Sequence, residues 1–168
     1  MRGLVAATSS LVSLAATSEA RQLALPLFFD GYDVAVSRPI IDELEGIAQY
    51  EDDHADAARA VLDEQDRFEI HDVEPDPEFP LDDGENAAVQ LTTETDAAFF
   101  YCDEYNQLAL IHASLSDSQF VTTPRILDAF VAHSDLSNSE ARDLFEGISQ
   151  VRSWDGNAYA QQAARLFD

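Results

Sequence analysis

The chain contains no lysine, and this absence excludes several kinds of active site. All nine basic residues are arginine. A P-loop needs a lysine against its phosphates, a protein kinase needs one on a strand, and Schiff-base catalysis needs a lysine amine. The motifs HExxH, GxSxG and GxGxxG do not occur either. The sequence therefore argues against these classes of nucleotide-binding, zinc-protease and hydrolase site.

Cysteine and long apolar runs are also scarce. Cys102 is the single cysteine, which excludes an internal disulfide and a cysteine-based zinc cluster. No apolar run approaches the roughly 20 residues that a membrane-spanning helix needs. Serines and threonines interrupt the apolar N-terminal stretch, which predicts a first strand and helix rather than a signal peptide. Together these features predict a cytoplasmic protein that does not enter a membrane.

Positive charge is rare, whereas negative charge is abundant. The chain has 33 Asp and Glu residues against nine arginines, for a net charge of −24. Uniform acidity without lysine resembles the proteins of salt-in halophilic archaea. In about 1 M salt the Debye length is only about 3 Å, so the self-repulsion of such a chain is largely screened. Most single carboxylates are therefore expected to be solvated, and acidity alone indicates no function.

Short apolar runs alternate with longer amphipathic stretches along the chain. This alternation predicts one α/β domain over residues 1–168, with a mainly parallel sheet of about five strands covered by helices on both faces. Residues 150–168 are expected to form a C-terminal helical extension, and the acidic, proline-rich segment 73–85 is expected to be a loop. The predicted strands are 3–7, 33–36, 68–71, 98–102 and 119–122. The predicted helices that follow the N-terminal one are 19–29, 39–49, 52–66, 85–94, 105–115, 124–133, 138–152 and 157–167.

Acidic residues recur where the predicted strands end or the helices begin. Glu43 lies early in the helix after the second strand, Glu85 opens a helix behind Gly84, and Asp103 and Glu104 follow the fourth strand. The carboxyl ends of parallel strands are where such sheets bind ligands. Carboxylates held together repel one another unless a divalent cation bridges them. Bound metals can activate water for phosphodiester hydrolysis.

These segments resemble the PIN-domain nucleases, a family that includes the toxins of toxin–antitoxin pairs. The resemblance covers nearly the whole chain and implies a single PIN-like domain with the strand order 3-2-1-4-5. It implies that Glu43, Glu85 and Asp103 are catalytic and bind Mg²⁺ or Mn²⁺, and that Thr8 and Ser9 are the hydroxyl residues that orient water. The motifs run in the family's order: GLVAATSSLVSL, VAVSRPIIDELEGIA, LDDGENAAVQLT, FFYCDEYNQLAL and FVTTPRILDAFV.

One position departs from the family pattern. The first strand of a PIN domain ends in a metal-binding aspartate, and the corresponding residue here is Ala7. An alanine removes a charge and an oxygen ligand together, so the chain is expected to be inactive as written. Two explanations stay open: a catalytically degenerate relative, or an alanine variant made to inactivate an enzyme.

The resemblance implies a metal-dependent endoribonuclease acting on tRNA or another structured RNA, neutralised by a small antitoxin. The apolar helix 19–29, with Leu25, Phe28 and Phe29, is a candidate surface for a homodimer or for the antitoxin, although core packing is the more ordinary role of such residues.

Arg38 is placed to hold a phosphate, although an arginine among so many acids more often forms an ion pair. Thr123 is placed to orient substrate or water, although capping the helix that begins at Pro124 is its more ordinary role. The alternative to an enzyme is a PIN-fold binding or scaffold module without catalysis.

Overall fold

The sheet is entirely parallel and has five strands in the described part of the chain. The computed structural model describes residues 1–74, 76–78, 81–115 and 117–168. The strand order is β3-β2-β1-β4-β5, which confirms the predicted α/β class and the order 3-2-1-4-5. The strands are β1 (Arg2–Ala6), β2 (Tyr32–Ser37), β3 (Glu69–His71), β4 (Phe99–Tyr101) and β5 (Gln119–Val121).

Each predicted helix is confirmed, with changes at its ends. The predicted segments 52–66, 105–115 and 157–167 each divide into an α-helix and a 3₁₀ turn. The predicted loop 73–85 is shorter, because Asp82 caps a helix that begins at Asp83, and its residues 75, 79 and 80 lie outside the described residues. The α-helices are α1 (Thr8–Leu14), α2 (Ser18–Gly31), α3 (Arg38–Ile47), α4 (Asp53–Leu62), α5 (Asp83–Thr95), α6 (Leu108–Ser114), α7 (Thr123–Ala132), α8 (Asn138–Val151) and α9 (Ala158–Ala163). The 3₁₀ turns are Gln65–Arg67, Tyr105–Gln107 and Ala164–Phe167.

Alternate residues of the central strands pack on opposite faces of the sheet. In β1, Leu4 and Ala6 belong to a larger apolar cluster shared with residues of α2, α7 and α8, whereas Val5 belongs to a smaller cluster shared with α5. In β4, Tyr101 lies in the larger cluster and Phe100 in the smaller one. This period of two is the normal pleat of a strand, and burial on both faces is typical of a parallel sheet covered by helices.

The C-terminal segment packs onto this framework. Phe167 is fully buried in the larger cluster, and its carbonyl accepts a hydrogen bond of 2.6 Å from the Asn138 side chain. Ser137 and Glu140 form the predicted capping box at the start of α8. In the part of the chain that the structure describes, no helix has the length and apolar character needed to cross a membrane.

Candidate functional site

Four acidic residues gather at the carboxyl edge of the sheet, and we call them the acidic cluster. Glu43 lies in the second turn of α3, Asp82 caps α5, Glu85 lies in the first turn of α5, and Glu104 follows β4. The Asp82 carboxylate accepts the backbone N–H of Glu85 at 2.9 Å, which places both at the start of the same helix. The Glu43 carboxyl group lies against Gly84 and its charge acts on Glu85, so the structure brings these two predicted residues together.

Gly84 lets the Glu43 carboxylate approach the start of α5. A Cβ built on Gly84 would lie 2.7 Å from Cδ of Glu43, so a side chain at this position would displace the Glu43 carboxyl group. The hydroxyl of Thr8, the first residue of α1, donates a hydrogen bond to Oε2 of Glu43. Glycine at this position thus leaves room for the Glu43 carboxylate, and Thr8 fixes the direction of that carboxylate.

Burial and neighbouring negative charges disfavour the ionisation of Glu85 and Glu43 and raise the pKa of each. Burial raises the pKa of Glu85 from 4.5 to about 7, and the charges of Asp82, Glu104 and Glu43 add to that rise. Burial also raises the pKa of Glu43, although the hydrogen bond from Thr8 opposes the shift. None of the ion pairs between described residues involves Glu43, Glu85 or Glu104. The cluster therefore holds negative charge that no side-chain cation of the described chain compensates.

The donor chemistry of the acidic cluster fits a hard divalent cation. Carboxylate oxygens are the ligands that Mg²⁺ and Mn²⁺ prefer. Within the described ranges, no three His, Cys, Asp or Glu side chains converge closely enough to form a complete metal centre. Mg²⁺ usually keeps several waters and contacts only one or two carboxylates. Glu43 and Glu85 would suffice as its protein ligands.

Asp103, the third predicted acid, lies in a different environment. Its side chain is only 4% exposed, and both of its oxygens accept hydrogen bonds inside the protein. The backbone N–H of Thr123 donates to Oδ1 at 2.8 Å, the Tyr105 hydroxyl donates to the same atom at 3.0 Å, and the Thr123 hydroxyl donates to Oδ2. Burial raises the pKa of Asp103, while these hydrogen bonds act in the opposite direction. Asp103 thus ties the end of β4 to the start of α7.

Of the two acids that follow β4, Glu104 is the one whose charge acts on Glu85. The sequence motifs did not single it out as a site residue. The signal that would have found it is the two-residue period of the strand. Tyr101 packs on the larger-cluster face, and Asp103 continues that parity. Cys102 packs on the face covered by α5, and Glu104 continues that parity. The two adjacent acids therefore have different neighbours, and the catalytic and metal-binding role predicted for Asp103 stays a prediction.

Ala7 caps α1 directly after β1, at the position where the resemblance leads us to expect an aspartate. It is 1% exposed and belongs to the smaller apolar cluster with Val5 and Cys102. Because Ala7 packs with residues of α5, position 7 lies on the α5 side of the sheet, the side to which Glu104 is assigned. The Ser9 hydroxyl accepts the backbone N–H of Asp103 at 3.0 Å. Thr8 and Ser9 thus connect the start of α1 to Glu43 and to the segment after β4.

The remaining predicted residues lie apart from the acidic cluster. Arg38 forms an exposed ion pair with Asp72, with 3.3 Å between Nε and Oδ1. Thr123 is fully buried, and its hydroxyl bonds to Asp103 and Tyr101. These contacts give both residues structural partners, and their predicted roles toward substrate or water stay predictions.

Comparison with models of protein families finds no match to this chain, and none of the curated proteins matches it.

Proposed function

We propose that this chain has the scaffold of a PIN-type, Mg²⁺- or Mn²⁺-dependent endoribonuclease, disabled by the alanine at position 7. The observation that carries the proposal is the uncompensated, half-buried acidic cluster at the carboxyl edge of a parallel 3-2-1-4-5 sheet. Carboxylates whose pKa is raised by burial and by neighbouring negative charge, as for Glu43 and Glu85, are typical of functional sites. The order of the sequence motifs supports the same proposal.

Each acid of the proposed site has a role that follows from its surroundings. Glu43 and Glu85 would hold the cation, and Thr8 keeps the Glu43 carboxylate oriented through its hydrogen bond. Glu104 would complete the negative edge beside Glu85. A metal bound there would lower the pKa of a bound water molecule and would stabilise negative charge on the phosphate. An aspartate at position 7 would add a carboxylate on the same side of the sheet as Glu104.

The acidic composition limits how this chain could hold RNA, and it is typical of adaptation to high salt rather than of phosphate binding. With nine arginines against 33 acids, few side chains can neutralise phosphates, so the metal would carry much of the phosphate contact. We therefore expect the affinity for RNA to fall only weakly as salt is added, in contrast to proteins with many basic contacts. Structured RNA such as tRNA as substrate and a small antitoxin partner are parts of the proposal that rest on the family resemblance. A homodimer is a further part, and Leu25, Phe28 and Phe29 of α2 are buried in the core and do not supply its surface.

A non-catalytic binding module is the second candidate, and one observation favours it. The Ala7 side chain fits a closed apolar cluster with Val5 and Cys102 rather than a vacant polar position. A chain that had adapted to alanine here would retain the fold and the acidic cluster without cutting RNA.

Cleavage of total RNA separates the two candidates. The parent chain, Ala7→Asp and Ala7→Asn would be incubated with RNA in high KCl and Mn²⁺, and the products resolved by electrophoresis. We expect only Ala7→Asp to cut and EDTA to stop it, because asparagine matches aspartate in size but lacks the charge. Adding Glu85→Gln to Ala7→Asp should abolish cleavage.

Folding of the variants must be checked, because position 7 is buried. Insertion of a larger side chain into a packed site costs about 1–3 kcal/mol, so circular dichroism and a urea midpoint are needed for both variants. If folded Ala7→Asp does not cut while it still binds Mn²⁺, the catalytic proposal fails and the binding module takes its place.

A further inference from the structure

A second feature lies beside the same edge of the sheet: an open pocket of about 380 Å³ at the C-terminal segment. We call it the C-terminal pocket. Its walls come from the start of α7, from α9 and from the final 3₁₀ turn. The lining residues are Arg125, Tyr159, Gln162, Ala163, Arg165 and Leu166. Two of the nine arginines of the chain therefore line one pocket, and none of its lining residues is acidic.

The two pocket arginines share one pocket and have no carboxylate partner among the described residues. Arg38, Arg59 and Arg67 each form an ion pair with an aspartate. Arg125 and Arg165 are exposed and form no ion pair with any described residue. In a chain with 33 acids, two guanidinium groups without a carboxylate partner constitute a local excess of positive charge. Such a site favours an anion, and planar guanidinium groups match the oxygens of phosphate.

A side-chain contact between distant segments builds the pocket. Thr122, the residue that precedes α7, makes no capping hydrogen bond with its side chain, and its hydroxyl instead bonds to the Tyr159 hydroxyl at 2.7 Å. This bond attaches α9 to the start of α7 and brings the turn that carries Arg165 beside Arg125. The buried Phe167 holds the other end of the turn. The arrangement of the pocket is thus held by buried and bonded groups, not by the arginines themselves.

The C-terminal pocket adjoins the acidic cluster through three consecutive residues. Tyr105 packs its ring 4.7 Å from the ring of Tyr159 in the pocket wall, and its hydroxyl bonds to Asp103. Glu104, between these two residues, interacts with Glu85 in the acidic cluster. A strand of nucleic acid held by the pocket arginines would therefore have neighbouring phosphates close to the carboxylates.

We propose that the C-terminal pocket binds backbone phosphates of the RNA strand whose neighbouring phosphate lies at the acidic cluster, an inference that rests on RNA being the ligand of the proposed function. Arg125 and Arg165 are the phosphate contacts. The acidic cluster repels nucleic acid in the absence of a cation, so the pocket supplies the attraction that keeps RNA at this edge.

Fluorescence anisotropy with a short, labelled single-stranded RNA tests the proposal. The full chain would be titrated in EDTA over a series of KCl concentrations, together with Arg125→Ala, Arg165→Ala and the double variant. Arg142→Ala is the matched control, because Arg142 is exposed on α8, forms no ion pair with a described residue and lies outside the pocket. It changes the net charge by the same amount.

We expect each pocket substitution to weaken RNA binding about tenfold, as loss of a charged hydrogen-bonding group does. The slope of log affinity against log salt should become shallower by about 0.7 for each arginine removed. Arg165→Lys should recover the slope but only part of the affinity, because it keeps the charge and loses the planar fork. Equal urea midpoints for all variants would show that folding is unchanged.

The outcomes separate this proposal from the proposed function. Equal RNA affinity for the pocket variants and Arg142→Ala, or no RNA binding by the parent, would overturn the pocket as an RNA site even if Ala7→Asp cuts RNA. A selective loss with the pocket variants would support the pocket even if Ala7→Asp does not cut, in which case the failure belongs to the catalytic proposal.

Discussion

Asp103 and Glu85 are both acidic residues at the carboxyl edge of the sheet, but the protein surrounds them in opposite ways. Asp103 is almost fully buried, and three hydrogen-bond donors from Thr123 and Tyr105 satisfy its two oxygens. Glu85 is half-buried among Asp82, Glu104 and Glu43, whose charges raise its pKa.

The difference distinguishes a structural acid from a candidate functional one. The carboxylate of Asp103 acts as a connector whose bonding capacity is used within the fold. The carboxylate of Glu85 stays short of partners, and a cation would relieve its repulsion. Asp103 and Glu85 differ in whether the fold provides hydrogen-bond partners for their carboxylate oxygens, and this difference, rather than burial or position in a motif, distinguishes them.

The largest expected effect comes from removing the Asp103 carboxylate. Asp103→Ala would leave the Thr123 N–H and the Tyr105 hydroxyl buried without an acceptor, whereas the Thr123 hydroxyl keeps the Tyr101 hydroxyl as a partner. Each unsatisfied buried group costs about 1–3 kcal/mol, so we expect the free energy of unfolding to fall by about 3 kcal/mol or more in urea denaturation.

Asp103→Asn is the matched control, because asparagine keeps one acceptor oxygen in the same place. We expect it to lose about 1–2 kcal/mol, clearly less than alanine. Equal losses for the two variants would show that the hydrogen bonds do not explain the burial of this carboxylate.

Tyr105→Phe removes one donor from Asp103 while the ring contacts with Trp154 and Tyr159 remain. The backbone N–H of Thr123 still donates to the same oxygen, so the carboxylate keeps a partner. We predict a loss of about 1 kcal/mol in the free energy of unfolding, measured in urea. If Tyr105→Phe loses as much unfolding free energy as Asp103→Ala, the hydrogen bond from Tyr105 alone does not explain the loss, and ring packing must contribute.

Glu85→Gln should act in the opposite direction and with the smallest magnitude. At pH 8 it removes a repelled charge, and because solvent screens a half-exposed group we expect a gain of only about 0.5 kcal/mol without metal. The folded-state pKa of about 7 lies above the usual 4.5, so the protonated form of Glu85 favours folding. Its contribution is fully present below pH 4.5 and is lost as the pH rises to about 7.

Urea midpoints measured in EDTA between pH 4.5 and about pH 7 test whether stability falls with rising pH, as predicted. The parent should lose stability with rising pH more steeply than Glu85→Gln. Glu94→Gln is the control, because Glu94 is exposed and lies nine residues further along α5, about 14 Å along the helix axis. A parent slope equal to that of Glu85→Gln would show that Glu85 carries no elevated pKa.

The sequence was sufficient to predict the fold for local reasons. Pro39 and Pro124 mark first helical turns, Ser137 and Glu140 form a capping box, and the apolar runs of β1 and β4 are typical of strands buried on both faces. The strand order came from the family resemblance, and the structure confirms it.

The site was only partly predictable. Glu43 and Glu85 were identified by their motifs, but the choice between Asp103 and Glu104 depends on the face that each residue inherits from β4. The C-terminal pocket was not predictable, because it depends on the bond between Thr122 and Tyr159, which are distant in sequence and carry no motif. Contacts of this kind are set by tertiary packing.

Binding of Mn²⁺ tests the central comparison most directly. Isothermal titration calorimetry at constant high KCl would compare the parent with Glu43→Gln, Glu85→Gln, Glu104→Gln, Asp103→Asn and Glu94→Gln. We predict that the three substitutions in the acidic cluster weaken Mn²⁺ binding at least about tenfold, since each removes a charged ligand or neighbour. Folded Asp103→Asn and Glu94→Gln should bind as the parent does. Loss of binding with Asp103→Asn but not with Glu104→Gln, or no binding by the parent, would contradict the assignment of the acidic cluster as the metal site.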